Sequence, residues 1–133
     1  MPNNRQTTEQ QRAKGAWENV EGVNESKGKE YGSWARKLPS LIQTNGLGQA
    51  LAFLKAKGKG DRSSHYTMLY NHVSTWVCKH LKPTETPNDL LEWVITQNSG
   101  NYRRATNETL AYALWLRRFA EAKGWSGDEG NEK

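Results

Sequence analysis

Residues 38–53 read Leu38-Pro39-Ser40-Leu41-Ile42-Gln43-Thr44-Asn45-Gly46-Leu47-Gly48-Gln49-Ala50-Leu51-Ala52-Phe53, and this stretch decides how the chain folds. Pro39 suits the first turn of a helix, where a missing N–H costs nothing, or a kink inside a longer one. Asn45-Gly46 supplies the left-handed residue that ends a helix, and Leu47 stands where an apolar side chain folds back on the last turn. Leu47, Ala50, Leu51 and Leu54 then recur at helical spacing and start the next helix. Two helices therefore meet at a tight corner, with Lys55, Lys57, Lys59 and Arg62 directly after it.

Upstream of the corner, Ala13, Ala16, Trp17, Val20, Asn24, Tyr31, Trp34, Ala35 and Leu38 trace an apolar stripe. The stripe predicts a long helix from about Thr8 to Lys37, with Gly28 as the candidate break. Gly15, Gly22, Gly28 and Gly32 each cost ~1 kcal/mol relative to Ala inside a helix, so this helix needs tertiary support. Downstream, Gly58-Lys59-Gly60-Asp61-Arg62-Ser63 reads as an open basic loop. Tyr66, Leu69, Tyr70, Val73, Trp76, Val77, His80 and Leu81 predict an amphipathic helix from about Ser63 to Leu81. A linker follows, and its end is a helix start: Thr86 as cap, Pro87 at the first position, Asp89 in the first turn. Leu90, Leu91, Val94 and Ile95 bury that short helix, and Asn98-Ser99-Gly100 ends it.

A last helix from about Tyr102 to Lys123 is expected to bury Ala105, Thr109, Tyr112, Ala113, Leu116, Phe119 and Ala120. No alternating strand pattern with hairpin turns occurs. The fold class is all-α: a single compact bundle of five or six helices with a long N-terminal helix. Residues 1–123 form one helical domain in this reading, and residues 124–133 an acidic tail expected to be disordered.

A chain of 133 residues supports one domain with a modest core. Mean hydropathy is −0.95, so the six Trp and five Tyr must supply much of the buried area. No apolar run approaches the ~20 residues of a membrane span, and the N-terminus lacks the apolar core of a signal peptide. The one cysteine, Cys78, falls on a predicted helix and reads as a small packed thiol, which fits a reduced, cytoplasmic setting. Net charge is +5, unevenly spread: residues 1–30 balance to zero, residues 31–82 carry +7 and residues 83–133 carry −2. A middle segment this one-sided suits a polyanion partner, and equally suits a solvated surface that favours solubility.

The residues argue against an enzyme. Gly58-Lys59 lacks the upstream glycine and the hydroxyl of a phosphate loop, and Asn45-Gly46-Leu47-Gly48 follows a helix rather than the strand a dinucleotide fingerprint needs. His65 and His72 could share a helical face, with His80 further round it, but a metal site needs another ligand nearby. Asp occurs only at Asp61, Asp89 and Asp128, too sparse for the converging carboxylates of a two-metal nuclease. Glu92, Glu108 and Glu121 are expected on exposed helical faces, where helix propensity and ion pairing account for them. No Ser or Cys nucleophile has a base in a recognised motif. Neither a cofactor nor a metal site is expected.

One constellation remains. Arg103-Arg104 and Arg117-Arg118 lie on one predicted helix, each pair of positions fourteen residues apart. Fourteen steps leave them ~40° from alignment and ~21 Å apart along the axis. Guanidinium groups so placed can engage successive backbone phosphates without reading bases. Pairing with Glu108 and Glu121, or with a partner protein's carboxylates, is the other reading. The tryptophans and tyrosines could stack bases, although at helical spacing most of them read as core.

Two segments carry a family resemblance. From Tyr31 to Leu54 the residues are Tyr31, Trp34, Lys37-Leu38-Pro39-Ser40-Leu41-Ile42, Asn45-Gly46-Leu47 and Leu51-Ala52-Phe53-Leu54. From Tyr102 to Ala122 they are Tyr102-Arg103-Arg104-Ala105-Thr106, Glu108, Leu110, Tyr112, and Leu114-Trp115-Leu116-Arg117-Arg118-Phe119-Ala120-Glu121-Ala122. In order, spacing and total length the chain resembles the small helical subunit of the Cmr complex, the type III-B CRISPR RNA-guided effector. These signatures are structural rather than catalytic.

The resemblance implies a non-catalytic subunit in antiviral and foreign-element defence, present in several copies that stack beside the backbone subunits. Its implied partners are the other Cmr subunits, further copies of itself and the guide RNA–target RNA duplex, with target RNA held through its phosphates. The RNA-binding candidates are Lys37, Lys55, Lys57, Lys59, Arg62, Arg103, Arg104, Arg117 and Arg118. The rival reading is a basic helical adaptor that binds only acidic surfaces of partner proteins.

Overall fold

A computed structural model describes residues 6–81 and 89–125. Its six α-helices are α1 (Thr8–Glu21), α2 (Gly28–Asn45), α3 (Leu47–Gly58), α4 (His65–Leu81), α5 (Leu90–Val94) and α6 (Ser99–Ala122), and no strand occurs among the described residues. The all-α expectation therefore holds. No described helix is long and apolar enough to cross a membrane.

The long helix predicted over residues 8–37, with Gly28 as its candidate break, is two helices, and the break lies just before Gly28. Gly22 closes α1, Asn24 is extended, and a 3-10 turn at Glu25–Lys27 leads into α2. Val23 is buried in this break, so the chain gives up helical hydrogen bonds there and gains an apolar anchor. A full capping box secures the start of α1: Thr7 Oγ1 accepts from Gln10 N, and Gln10 Oε1 accepts from Thr7 N.

Pro39 lies inside α2 rather than in a first turn. The helix continues past it because Tyr31, Ala35, Leu38 and Ile42 form one buried stripe spanning the proline. The corner itself falls at Gly46. Its φ of 90° has the sign expected, but ψ is 159°, an extended rather than left-handed helical value. One residue is serving two helices: Gly46 N donates to Ile42 O at 2.7 Å to finish α2, and Gly46 O accepts from Ala50 N at 3.1 Å to begin α3.

The predicted cap at Thr86 and Pro87 lies outside the described residues. Asp89 sits just before α5 rather than in its first turn, and its side chain makes no capping bond. Hydroxyls from α4 take that role instead: Leu90 N donates to Ser74 Oγ at 3.0 Å and Leu91 N to Tyr70 Oη at 3.0 Å. Asn98, expected among the residues that end the short helix, opens α6 by accepting from Asn101 N at 2.8 Å.

The core is one cluster drawn from every helix, and Tyr31, Leu38, Leu47, Leu51, Leu54, Leu69, Leu90, Tyr112 and Leu116 are among its fully buried members. Cys78 is buried in it without a disulfide. Of the residues assigned to the face of α6, Ala105, Thr109, Tyr112, Ala113, Leu116 and Ala120 are buried, and Phe119 is partly so. Beyond α6 the chain turns at Gly124, and Trp125 is buried against α2. Gly28 and Gly32 make room for it: a Cβ at either position would collide with Trp125. With Gly15, which stands close to the Trp76 ring, three of the four helix-weakening glycines thus serve a close approach. The expected acidic tail, apart from Gly124 and Trp125, falls outside the described residues.

Candidate nucleic-acid interface

The basic segment after the corner is held by packing. Helix α3 antiparallels α4, with Gly58 close against Thr67, and the connection between them carries Lys59 and Arg62 on the surface. Lys59 closes α3 in the left-handed conformation, φ 54°. Asp61 then organises the loop by accepting from Ser63 N at 2.9 Å and from Ser63 Oγ at 2.8 Å. Those two bonds, the backbone one foremost, hold its carboxyl below the usual range. The segment's one acid thus shapes the turn through its Oδ1.

The sequence-predicted cations divide by what they touch. Lys55 is engaged: its Nζ lies 2.7 Å from Asp89 Oδ2 and 5.2 Å from the Tyr70 ring centroid. Asp89 also accepts a short hydrogen bond from Tyr70 Oη. Burial opposes ionisation of Asp89, but the bonds from Lys55 and Tyr70 outweigh it and keep the carboxyl below its ordinary value. Burial and the Asp89 contact push the Tyr70 hydroxyl up. Lys55 thus fastens α3 to the start of α5.

Lys37, Lys57, Lys59 and Arg62 are exposed and form no ion pair among the described residues. Lys37 Nζ stands 4.5 Å over the Trp34 ring, and Lys57 Nζ 5.7 Å from that of Phe53. Trp34 and Phe53 are themselves in contact, centroids 5.3 Å apart, so Lys37 on α2 and Lys57 on α3 flank one aromatic cluster. The helical spacing of these aromatics points to the core. Their partial exposure is signalled only by a cation three residues after Trp34 and four after Phe53.

The arginine doublets share α6 as expected, but their surroundings differ. Arg103 and Arg104 are exposed near its start, with Arg104 Nη1 donating to Asn101 Oδ1 at 3.3 Å. Arg117 and Arg118 both pair with Glu121, at 3.2 and 3.0 Å. Burial of that carboxyl is outweighed by the two arginines, which hold it low.

Glu108, expected on an exposed face, is only 14% exposed at its side chain and ties three helices together. Its Oε2 accepts from Arg12 Nε at 2.7 Å and from Trp76 Nε1 at 2.8 Å, and its Oε1 from Arg12 Nη2 at 2.8 Å. Burial works against this carboxylate, yet the bonds from Arg12 and Trp76 keep its pKa below normal, and the Arg12 pKa rises in return.

The histidines have separate surroundings, and the buried Nε2 of His65 has no hydrogen-bond partner among the described residues. His72 Nδ1 shares a 2.7 Å hydrogen bond with Tyr31 Oη, and burial lowers its pKa to about 4. His80 Nδ1 lies 2.9 Å from Trp76 O, while His65 stacks on Tyr66 at 4.1 Å. No group of three or more His, Cys, Asp or Glu able to hold a metal occurs among the described residues.

Comparison with known proteins bears on what this surface serves. Residues 8–123 match the family model for CRISPR-associated protein Cmr5. The chain is 33% identical over 111 residues to the CRISPR system Cmr subunit Cmr5 of Thermus thermophilus, covering 83% of this chain and 90% of that protein. It also superimposes on the crystal structure of a CRISPR-associated Cmr5 family protein from Thermus thermophilus. The TM-score is 0.72 at 32% identity, over 88% of this chain and 97% of that one. The helical corner at Gly46, the arginine-bearing α6 and the whole-length match lead to one conclusion: the chain belongs to the Cmr5 family of CRISPR-associated proteins, a subunit family of the type III-B Cmr system.

Proposed function

We propose that this protein is a non-catalytic subunit of a type III-B CRISPR effector, stacking in several copies beside the backbone subunits and holding target RNA by its phosphates. One observation carries the RNA reading: Lys37, Lys57, Lys59 and Arg62 are exposed cations with no carboxylate partner among the described residues. Cations left without carboxylates at the α3–α4 connection and on α2 suit a polyanion, whose phosphates supply the missing counter-charge. Arg103 and Arg104 extend the candidate set. Lys55, Arg117 and Arg118 join it only by sharing or exchanging Asp89 and Glu121.

Phosphate contacts position a strand without reading sequence, so binding is sequence-independent and strongly salt-dependent. Each phosphate neutralised on a single strand contributes a slope of about −0.7 in log affinity against log salt. In complexes reconstituted with Lys57→Ala/Lys59→Ala/Arg62→Ala subunits, the slope for target RNA flattens by about 2 units. Several weak contacts add along one strand when copies are lined up, so the assembled complex is the right reagent. An unchanged slope and affinity, with the variant failing to enter the complex, would make this segment a protein-docking element and favour the adaptor reading.

A further inference from the structure

The aromatic cluster between Lys37 and Lys57 extends to a third helix. Tyr66 of α4 lies 5.4 Å from Trp34 and 6.3 Å from Phe53, so α2, α3 and α4 contribute one ring each. All three rings are only partly buried, although the core beneath them is closed. A cleft of about 820 Å³ opens beside Trp34 and Tyr66, with Lys29, Glu30, Ser33 and His65 also on its walls. That volume exceeds what one nucleobase requires.

We propose that Trp34, Phe53 and Tyr66 form a stacking platform for an unpaired nucleobase of the bound RNA strand, with Lys37 and Lys57 taking the phosphates beside it. The proposal rests on the RNA-binding reading above and assigns a further part of the same surface. Every nucleobase has a π-face, so aromatic stacking adds affinity without demanding a sequence. The charge arrangement sets the direction. Lys37 and Lys57 stand over Trp34 and Phe53, whereas on the cleft wall Lys29 and Lys123 are balanced by Glu25 and Glu30, and Glu30 can accept hydrogen bonds from a base's amino group. The phosphates therefore lie on the side of Lys37 and Lys57 and the base turns toward the cleft. At exposed positions cation–π contacts are weak enough for both lysines to exchange them for phosphate.

The decisive comparison keeps phosphates constant and removes bases. Full-length protein is titrated at low salt with an oligouridylate and with an abasic strand of equal length. Wild-type protein should bind the intact strand about tenfold more tightly or better. Trp34→Leu and Tyr66→Leu should each abolish that preference while leaving affinity for the abasic strand unchanged, and Trp34→Phe should keep most of it. Circular dichroism melts check each fold. Photo-cross-linking of wild-type protein to a 5-iodouridine strand, mapped by mass spectrometry, gives a second reading that needs no variant and should mark Trp34, Phe53 or Tyr66.

Equal binding of intact and abasic strands by wild-type protein, with steep salt dependence, would overturn the platform and leave the phosphate reading standing. Binding of neither strand at low salt would overturn the platform, and the phosphate reading would be decided by the salt slope of the reconstituted complex. If the leucine variants retain the intact-strand preference but no longer enter the complex, the cluster is a protein-docking surface and the proposal fails.

Discussion

Arg12 and Lys57 are both helical cations near aromatic rings, yet they sit in opposite circumstances. Arg12 belongs to the α1–α4–α6 seam, where Glu108 accepts from it twice and from Trp76 once. Beside them Trp76 stacks on Tyr112 with centroids 4.7 Å apart and planes 3° from parallel, and Tyr112 accepts a hydrogen bond from Asn19. Gly15 allows that packing, since a Cβ there would stand 2.9 Å from the Trp76 ring. In the seam every polar group of the network has found a partner within the chain.

Lys57 belongs to the other kind of region, where Lys37, Lys59 and Arg62 are also left without carboxylates among the described residues. A satisfied half-buried network stabilises a fold, whereas surface cations contribute little to it. Set side by side, the seam holds the charges that keep the molecule together, and the basic end holds those that remain for a partner.

Substitution in the seam should produce a large effect. Glu108→Ala leaves the Arg12 guanidinium with Glu9 alone, at 2.7 Å, and strands the Trp76 N–H, and should cost about 2 kcal/mol, discounted from the fully buried case for partial exposure and for the pair that remains. Chemical denaturation measures it. A loss under about 1 kcal/mol would show that the seam is held by ring packing alone.

Acidification probes a second satisfied pair, Tyr31 with His72. The His72 pKa is lowered by burial to about 4, from 6.5 for an unperturbed histidine. Between those values the unfolded chain binds the proton and the folded one does not, so stability is intact above pH 6.5 and falls as pH drops toward 4. The fall should reach at most about 3 kcal/mol and be absent from His72→Gln. Loss confined to lower pH in both proteins would place the cause in carboxylates such as Asp89 and Glu108, whose pKa values are depressed.

At the corner, Gly46→Val tests backbone strain without crowding. A Cβ there would meet only the Tyr102 hydroxyl, at 3.7 Å, but φ is 90°. A β-branched residue at positive φ should cost about 1–3 kcal/mol, read from thermal melts. An unchanged midpoint would mean that α2 and α3 can meet in another geometry.

The smallest expected change lies in the partner-facing region. Lys57→Ala/Lys59→Ala/Arg62→Ala should alter stability by less than about 0.5 kcal/mol. A larger loss would erase the contrast between the two regions and make the basic loop part of the fold's own support.

Helical periodicity is enough to read α3, α4 and α6 within a few residues, because apolar spacing is a local property of the chain. Gly46 and the sign of its φ are legible for the same reason. Local pattern misleads at Gly22–Lys27, where the apolar stripe runs through a break that only the burial of Val23 makes worthwhile. At Pro39 it leaves two readings open, and the buried stripe of α2 chooses between them.

Residue order alone carries the all-α class, the family, the excess of positive charge in residues 31–82 and the placing of both arginine doublets on one helix. Which charges are already answered emerges only when the helices pack. Glu108 finds Arg12 across ninety-six residues, Lys55 finds Asp89 across thirty-four, and Trp34, Phe53 and Tyr66 meet from three helices. Reach explains the division. Spacing along a helix fixes neighbours one turn away, but the pairing and desolvation of a side chain depend on what a different helix brings within about 4 Å of it.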